Sequence, residues 1–372
     1  MIIFAIESSC DDTSAAVIEA DASHRLKILS NVVSSQIEIH ALYGGVVPEI
    51  ASRAHCEAIS HVAREAIDTA GISFDSIDAI AVTFAPGLIG SLLVGVSFAK
   101  SLACTLGVPL IPVNHIEAHV AASYLENPPE KIKPPYLALV VSGGHTSLYE
   151  VSDYVTFTEI GGTTDDAAGE AFDKVGRVMG LPYPGGAAMD QLAAKGLERY
   201  DFSKKGALRF PSPAKADDSL NLSFSGIKTA VINHIHTTKQ RLNLEDSDPI
   251  PDEIREEIAA AFTLTVCQGI GQKLDTALKR KKYTALVMAG GVAANSHLRR
   301  HIAQVCRENG VDFVFPSVKL CGDNAAMTAA QGYHMLRYGL TADSSLNAFA
   351  SDEGANEYLE QLKREKKTAE EI

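Results

Sequence analysis

Two histidines lie four residues apart in the segment His115-Ile-Glu-Ala-His119, which contains no helix breaker. In an α-helix an i,i+4 pair projects from one face about 40° apart, so both imidazoles can ligate one metal ion. The spacing leaves a second interpretation open, in which His115 and His119 are ordinary helix residues that never contact a metal. The segment therefore predicts a candidate metal site.

The same segment differs from the His-Glu-x-x-His motif of zinc proteases. In that motif a glutamate directly follows the first histidine and reaches the metal-bound water. Here the glutamate is Glu117, two residues after His115 and therefore about 200° further round the helix. A protease of this class is disfavoured.

Composition limits the class of protein. The chain has 372 residues, of which 46% are hydrophobic and 21% are charged, values typical of soluble globular proteins with room for two cores. It contains no stretch of about 18 apolar residues, and its start has no basic segment, so neither a membrane span nor a signal peptide is expected. These features predict a cytoplasmic protein.

The net charge of −13 disfavours a nucleic-acid partner unless a local basic patch binds it. The candidate patches are Lys279-Arg-Lys-Lys282 and Arg299-Arg300. For each of them a solvated helix end is an equally good interpretation.

Strand-like and helix-like stretches alternate, which predicts an α/β fold. Apolar runs at residues 2–6 and 14–18 flank the polar turn Glu7-Ser-Ser-Cys-Asp-Asp-Thr13, and runs at 136–141 and 146–151 flank Ser142-Gly-Gly-His145. This internal repeat predicts two related lobes. A further buried strand ends at Gly290-Gly291, and a helix is expected to start near Ser296.

The two small-residue turns suit phosphate binding, because their backbone N–H groups can approach a ligand without obstruction by side chains. Two such turns facing one another could hold a nucleotide, although a tight hairpin alone also favours these residues. The chain contains no P-loop motif, and no Gly-x-Gly-x-x-Gly follows a predicted strand. The irregular residues 200–221 and 243–251 indicate surface loops or a small insert, and the charged residues 351–372 indicate a solvated appendage.

Nine motifs occur in the order typical of the universal tRNA threonylcarbamoyladenosine transferases, a family that the chain resembles from residue 1 to about residue 345. They are Glu7-Ser-Ser-Cys-Asp-Asp-Thr13, Gly44-Gly-Val-Val-Pro-Glu-Ile-Ala-Ser-Arg53, Asn114-His-Ile-Glu-Ala-His119, Val141-Ser-Gly-Gly-His-Thr146, Asp165-Asp-Ala-Ala-Gly-Glu-Ala-Phe-Asp-Lys174, Tyr183-Pro-Gly-Gly186, Phe224-Ser-Gly-Ile-Lys-Thr229, Met288-Ala-Gly-Gly-Val-Ala-Ala-Asn295 and Cys321-Gly-Asp-Asn324. Two departures are Ala85, where the family usually has glycine, and Gly322, where it usually has threonine.

The resemblance implies an actin-like, ribonuclease-H-like α/β fold of two related lobes with a nucleotide and metal cleft between them. The expected lobes are residues 1–130 and residues 131–320, the second with a surface insert near 200–250. Residues 321–345 are expected to return to the first lobe, and residues 346–372 form a charged tail with no assigned function.

The implied reaction moves a threonylcarbamoyl group from threonylcarbamoyl-AMP to the exocyclic amine of the adenosine 3′ of the anticodon, in tRNAs that read codons beginning with A. The resemblance implies that His115, His119 and Asp323 bind one Fe²⁺ or Zn²⁺ ion. Asp11 is implied as a base for the amine or as an extra ligand, with an Asx turn as the plainer alternative. The implied adenylate-binding residues are Val140, Val141, Ser142, Gly143, Gly144, Asp173, Gly186, Asp190 and Asn295.

The implied partners are tRNA, a shorter paralogue subunit and a small P-loop ATPase of the same pathway. Two other functions would use the same turns without the histidine pair. One is an actin-like, ATP-driven binding module or chaperone, and the other is a sugar-kinase-type phosphotransferase. Both would turn over ATP without tRNA.

Overall fold

The computed structural model describes residues 1–245 and 248–370, the last three by their backbone alone. The strands are β1 (Ile2–Glu7), β2 (Asp12–Ala20), β3 (Leu26–Ser35), β4 (Ala79–Ala85), β5 (Leu110–Asn114), β6 (Tyr136–Val141), β7 (Thr146–Asp153), β8 (Thr156–Gly162), β9 (Ala285–Ala289) and β10 (Asp312–Val314). The α-helices are α1 (Ile37–Ala41), α2 (Pro48–Ala70), α3 (Ile89–Leu106), α4 (His115–Ala121), α5 (Ala168–Val178), α6 (Gly186–Arg199), α7 (Ser225–Arg241), α8 (Asp252–Arg280), α9 (Ser296–Glu308), α10 (Ala325–Arg337) and α11 (Asp352–Glu370).

The chain forms two compact units. Unit 1 comprises Met1–Pro134, Val151–Phe157 and the described part of Pro316–Ile372, and unit 2 comprises Pro135–Glu150 and the described part of Thr158–Phe315. The sequence predicted lobe boundaries at residues 130 and 320, whereas the contacts divide the chain after Pro134 and after Phe315.

The described chain contains two five-stranded sheets with the same strand order. In unit 1 the order is β3-β2-β1-β4-β5, and in the second sheet it is β8-β7-β6-β9-β10. Strands β1, β4 and β5 run parallel, as do β6, β9 and β10, while β2 is antiparallel to both of its neighbours. The predicted α/β fold of two related actin-like lobes is therefore confirmed, and the repeated turns occupy equivalent positions after β1 and after β6.

The core of unit 1 forms around strands that are buried on both faces. Every residue of β4 and β5 is buried, as expected for parallel strands covered by helices. Helix α10 packs closely on this sheet at Gly332, where an added Cβ would lie 2.6 Å from the Cβ of Ala81. This close approach fixes the position of α10, whose amino end follows Asp323.

One helix meets the length and composition of a membrane span, which the sequence analysis did not expect. Helix α3 has a mean hydropathy of 1.6 over 18 residues, although serines and one lysine interrupt its apolar run. In unit 1 its inner face packs on β4, with Leu92, Val96 and Ala99 buried in the core.

The C-terminal tail is not a solvated appendage, so that prediction was wrong. It forms helix α11, whose Ala355 is fully buried and whose Leu359 is 4% exposed within the core of unit 1. Apolar residues at 355, 358, 359 and 362 form one helix face, and this spacing gives enough burial to dock the tail. The sequence analysis did not recognise that face, because many of the remaining positions are charged.

We expect Leu359→Ala to destabilise the protein by about 2–4 kcal/mol, because it removes a buried side chain and leaves a cavity. Urea unfolding measures the change. Glu360→Ala, at an exposed position of the same helix, should stay within about 0.5 kcal/mol of the wild type. Equal, small effects of both substitutions would show that α11 does not dock.

Candidate metal centre and adenylate site

The histidine pair lies on a helix that begins directly after β5. Asn114 is the N-cap of α4, and its Oδ1 accepts hydrogen bonds from the backbone N–H groups of Ile116 at 2.8 Å and Glu117 at 3.3 Å. The rings of His115 and His119 lie on one face with centroids 4.6 Å apart, and both are buried. The predicted helix geometry is confirmed.

Asp323 lies in the turn before α10. Its neighbour Asn324 is the N-cap of that helix, since its Oδ1 accepts from the backbone N–H of Met327 at 3.2 Å. Asn324, and not Asp323, therefore caps α10. At Gly322 an added Cβ would meet no atom within 4 Å, so this position also has space for a side chain.

The three predicted ligands converge in unit 1. Oδ1 of Asp323 lies 3.3 Å from Nε2 of His119 and 3.7 Å from Nε2 of His115, and the three ligand atoms lie within 4.8 Å of one another. Ligands at about 2.1 Å from a tetrahedral ion would be about 3.4 Å apart, so these separations fit one metal ion.

His119 gives a second sign of a metal site. Its ring is 1% exposed, yet among the described residues neither ring nitrogen has a hydrogen-bond partner, because the contact with Asp323 is not aligned as a hydrogen bond. A buried imidazole without partners is costly, and a metal bond to Nε2 would offset that cost. The donor set of two imidazoles and one carboxylate suits a divalent transition metal.

Glu7, at the end of β1, lies behind His115 and was not predicted as a site residue. This fully buried carboxylate accepts hydrogen bonds from the backbone N–H of Ser9 at 2.6 Å and from Oγ1 of Thr83 at 2.5 Å. Its Oε2 lies 3.2 Å from Nδ1 of His115. Because an ionised carboxylate can only accept, Nδ1 carries the hydrogen and Nε2 is directed towards Asp323.

The electrostatics of this group favour a cation. Burial opposes a positive charge on His115, but the carboxylates of Asp323 and Glu7 outweigh burial and raise the pKa of His115 to about 9. The same two carboxylates favour a metal ion at Nε2, which would bind in competition with a proton.

Glu117 lies outside this group. Burial raises its pKa to about 8, and its Oε2 accepts a hydrogen bond from Nε2 of Gln331 at 3.1 Å. The side chain is thus buried in unit 1 and is not one of the three converging ligands. This agrees with the sequence argument against a zinc protease.

The turn between β1 and β2 carries Asp11, which lies outside the group of three converging ligands. His55 of α2 holds this turn: its Nε2 donates to the carbonyl of Cys10 at 3.0 Å, and its Nδ1 lies 2.7 Å from Oγ1 of Thr13. Burial lowers the pKa of His55, which disfavours the charged form of the ring. Asp11 stays predicted as a catalytic base.

Asp12, the first residue of β2, is a strongly perturbed carboxyl beside this turn. Burial raises its pKa to about 7 despite a hydrogen bond with Ser35, and the charges of Asp323 and Asp11 raise it further. Its Oδ1 is buried and, within the described chain, has no hydrogen-bond partner. Sequence analysis missed this residue because the cause is long-range burial and charge.

We expect Asp12→Asn to change how stability depends on pH. The pKa of Asp12 is higher in the folded than in the unfolded protein, so its contribution is lost as pH rises from about 4 to about 7. In metal-free protein, urea unfolding should show the mutant gaining at least about 1 kcal/mol relative to wild type between pH 5 and pH 8. Parallel stability curves would contradict the burial of an ionisable Asp12.

The second predicted turn lies at the end of β6 in unit 2. The N–H of Ser142 donates to the carbonyl of His145 at 2.8 Å, and Oγ of Ser142 accepts from the N–H of His145 at 3.1 Å. Gly143 and Gly144 are exposed, and an added Cβ on either would meet no atom within 4 Å. Val140 and Val141 are buried in β6 and anchor the turn.

Two glycines that were not predicted as site residues allow α5 and the end of β9 to pack closely against this turn. An added Cβ at Gly169, near the start of α5, would lie 2.5 Å from the carbonyl oxygen of Ser142. At Gly290, which has a φ of 94°, it would lie 2.5 Å from the carbonyl oxygen of Val141. Any larger residue would push α5 or the end of β9 away from the turn.

The remaining predicted adenylate residues lie at or beside two hydrogen bonds of unit 2. Oδ1 of Asp173 accepts from the N–H of Gly185, the residue before Gly186 at the start of α6. Asp190 accepts from the N–H of Ser296 at 3.1 Å, beside Asn295. Oδ1 of Asn295 caps α9 through the N–H of Leu298 at 2.8 Å, so this side chain also has a structural role.

Comparison with known proteins shows the family of this chain. Residues 27–330 match the model of the family described as tRNA N6-adenosine threonylcarbamoyltransferase. Proteins of that name from Clostridioides difficile and Pelobacter propionicus are 46% and 48% identical, over 94% of this chain and 97% of theirs.

Solved structures show similarity of fold alone. HypF from T. kodakarensis superposes with a TM-score of 0.58 at 13% identity, and a full-length HypF in a phosphate- and nucleotide-bound form with 0.56 at 14%. The chain spans just under half of those two proteins, 48% and 46% of their lengths, with 91% of its own residues matched. By its family match and its close relatives, the chain belongs to the tRNA N6-adenosine threonylcarbamoyltransferases.

Proposed function

We propose that this chain transfers a threonylcarbamoyl group to the N6 amine of a tRNA adenosine, with one divalent metal ion held by His115, His119 and Asp323. Family membership supports the reaction. The convergence of two Nε2 atoms and one carboxylate oxygen supports the metal centre, and it is the observation that carries the proposal.

The proposed donor is threonylcarbamoyl-AMP, and the proposed acceptor is the adenosine 3′ of the anticodon in tRNAs that read codons beginning with A. Unit 2 would hold the adenylate. Gly143 and Gly144 are exposed residues whose N–H groups can donate to phosphate, and the carboxylates of Asp173 and Asp190 can accept from ribose hydroxyls. Val140, Val141, Ser142, Gly186 and Asn295 complete the proposed site.

The transfer forms a bond between N6 of adenosine and the carbamoyl carbon, and it breaks the bond from that carbon to the phosphate oxygen of AMP. A bound divalent metal supplies Lewis-acid polarisation of the carbonyl. Asp11 is the proposed acceptor of the proton that leaves N6. His55 keeps the turn that carries Asp11 in place through Cys10 and Thr13.

The ligand set suits Fe²⁺ and Zn²⁺ alike, because both accept imidazole nitrogen and carboxylate oxygen. Iron or zinc is therefore the proposed metal.

We place the reaction in the cytoplasm, with tRNA held jointly by partner proteins. Lys279 pairs with Asp275 and Lys281 contacts Glu150, so this basic cluster is partly neutralised within the chain. The proposed partners are a shorter paralogue subunit and a small P-loop ATPase. An apolar strip on α3, with Ile89 47% and Leu93 41% exposed, supports a subunit contact there.

The direct test combines the protein, its partners, threonylcarbamoyl-AMP and unmodified tRNA. Mass spectrometry of the digested tRNA should detect the threonylcarbamoylated nucleoside. Absence of the modified nucleoside, together with ATP turnover by this chain alone in a separate assay, would instead favour the actin-like binding module or the phosphotransferase.

We expect His115→Ala and His119→Ala each to lose the metal and the transfer activity while circular dichroism stays unchanged. Wild type should contain about one transition metal ion per chain by elemental analysis. His61→Ala, which removes an exposed histidine of α2, is the matched control and should keep both. Equal metal content in wild type and both ligand variants would refute the assignment.

Asp11→Asn and the adenylate variants should fail differently. Removing the charge of Asp11 should lower the single-turnover transfer rate by about 10² or more with little change in adenylate affinity. Asp190→Ala or Asn295→Ala should weaken adenylate binding first, since those contacts exist in the ground state.

Calorimetric titration with a non-hydrolysable adenylate analogue separates the two groups. Asn295→Asp retains an N-cap for α9 and distinguishes loss of ligand contacts from loss of helix stability. An Asp11→Asn variant with the wild-type rate would show that the first turn has a structural role alone.

A further inference from the structure

We infer that Asp352 of the C-terminal helix α11 is a positioning residue for the metal centre, acting through Asn114. The inference rests on the proposed metal site and extends it to a part of the chain beyond the matched family region, which ends at residue 330. Oδ1 of Asp352 accepts a hydrogen bond from Nδ2 of Asn114 at 3.0 Å.

Helix α11 is anchored well enough to hold Asp352 in place. Tyr358 packs against Phe84 of β4 and Phe349, with ring centroids 5.5 Å and 6.1 Å away. Two backbone hydrogen bonds also hold the residues just before the helix. The N–H of Phe349 donates to the carbonyl of Phe84 in β4, and the N–H of Gly87, in the loop after β4, donates to the carbonyl of Ala350. Asp352 therefore sits at the start of a docked helix.

Asn114 links that helix to the ligands. Its side chain is 3% exposed, its Oδ1 caps α4, and its Nδ2 faces Asp352. Only one orientation of the amide satisfies both contacts, since the carboxylate cannot donate and the backbone N–H groups cannot accept. Asp352 thus selects the orientation in which Asn114 caps the helix.

The cap matters because α4 is short. A helix of seven residues has few internal hydrogen bonds, so its first turn depends on the cap. His115 is the residue directly after Asn114, and His119 lies one turn later. A rotated amide would leave the N–H groups of Ile116 and Glu117 unpaired and would loosen the first turn that directs both imidazoles.

The same docking supports His115 from behind. Phe84, which carries the ring contacts of α11, follows Thr83 in β4, and Oγ1 of Thr83 donates to Glu7. Glu7 in turn contacts Nδ1 of His115. Helix α11 therefore supports α4 through two sets of contacts, one at Asn114 and one at β4.

The test measures Co²⁺ affinity of the full chain by visible absorption, a readout that does not depend on transfer activity. Asp352→Ala should weaken Co²⁺ binding by about tenfold, at the lower end of the range for outer-shell partners of metal ligands. Asp352→Asn should remain within about threefold of wild type, because its amide oxygen can still accept from Asn114.

The matched control is Glu353→Ala, which removes a carboxylate from the same first turn of α11. Glu353→Ala should keep both its stability in urea and its Co²⁺ affinity, because Glu353 is exposed, whereas Asp352→Ala should lose Co²⁺ affinity.

A reciprocal exchange tests the contact itself. Asn114→Asp alone keeps a good N-cap but places two carboxylates together, so Co²⁺ affinity should fall. Combining Asn114→Asp with Asp352→Asn restores one donor and one acceptor and should recover most of the affinity. The double exchange tests the contact even if the Asp352→Ala variant does not fold.

The outcomes separate the two proposals. Wild type that binds no Co²⁺ would overturn the metal site itself. Wild-type binding together with unchanged affinity in Asp352→Ala, or no recovery in the double exchange, would overturn the role of Asp352 and leave the metal site standing.

Discussion

The arrangement of the metal centre depends on a single buried charge, the carboxylate of Glu7. A carboxylate with no exposure must be compensated by hydrogen bonds, and Glu7 obtains them from Ser9, Thr83 and His115. These three residues belong to the first turn, to β4 and to α4. Satisfying one charge therefore brings three separate segments together and fixes which nitrogen of His115 is directed towards Asp323.

The two units apply the same topology to different chemistry. In each, three parallel strands end at one edge of a sheet, and the chain leaves that edge through short turns and helix starts. Unit 1 places carboxylates and imidazoles there, whereas unit 2 places two exposed glycines and the N-cap of α9 there. The close approaches at Gly169 and Gly290 allow helices and strands to reach the second turn, much as Gly332 allows α10 to reach the first sheet.

The sequence predicted those features that are local. The i,i+4 histidines, the strand–turn–strand repeats and the helix at Ser296 follow from spacing within short segments, and the structure confirms them. Glu7 and Asp12 were missed because their roles depend on partners distant in the sequence. Helix α11 carried a signal at residues 355, 358, 359 and 362, but a high density of charge indicated a solvated tail, and the docking that outweighs it is tertiary.

The central claim is that two imidazoles and one carboxylate of unit 1 share a metal ion. X-ray absorption spectroscopy of metal-loaded protein tests it most directly, because it reports the elements around the ion and their distances. The account predicts nitrogen and oxygen neighbours at about 2.0–2.2 Å, with outer-shell scattering from two imidazole rings that falls to one ring in His119→Ala. Sulfur neighbours, or a spectrum that is the same in wild type and His119→Ala, would contradict it.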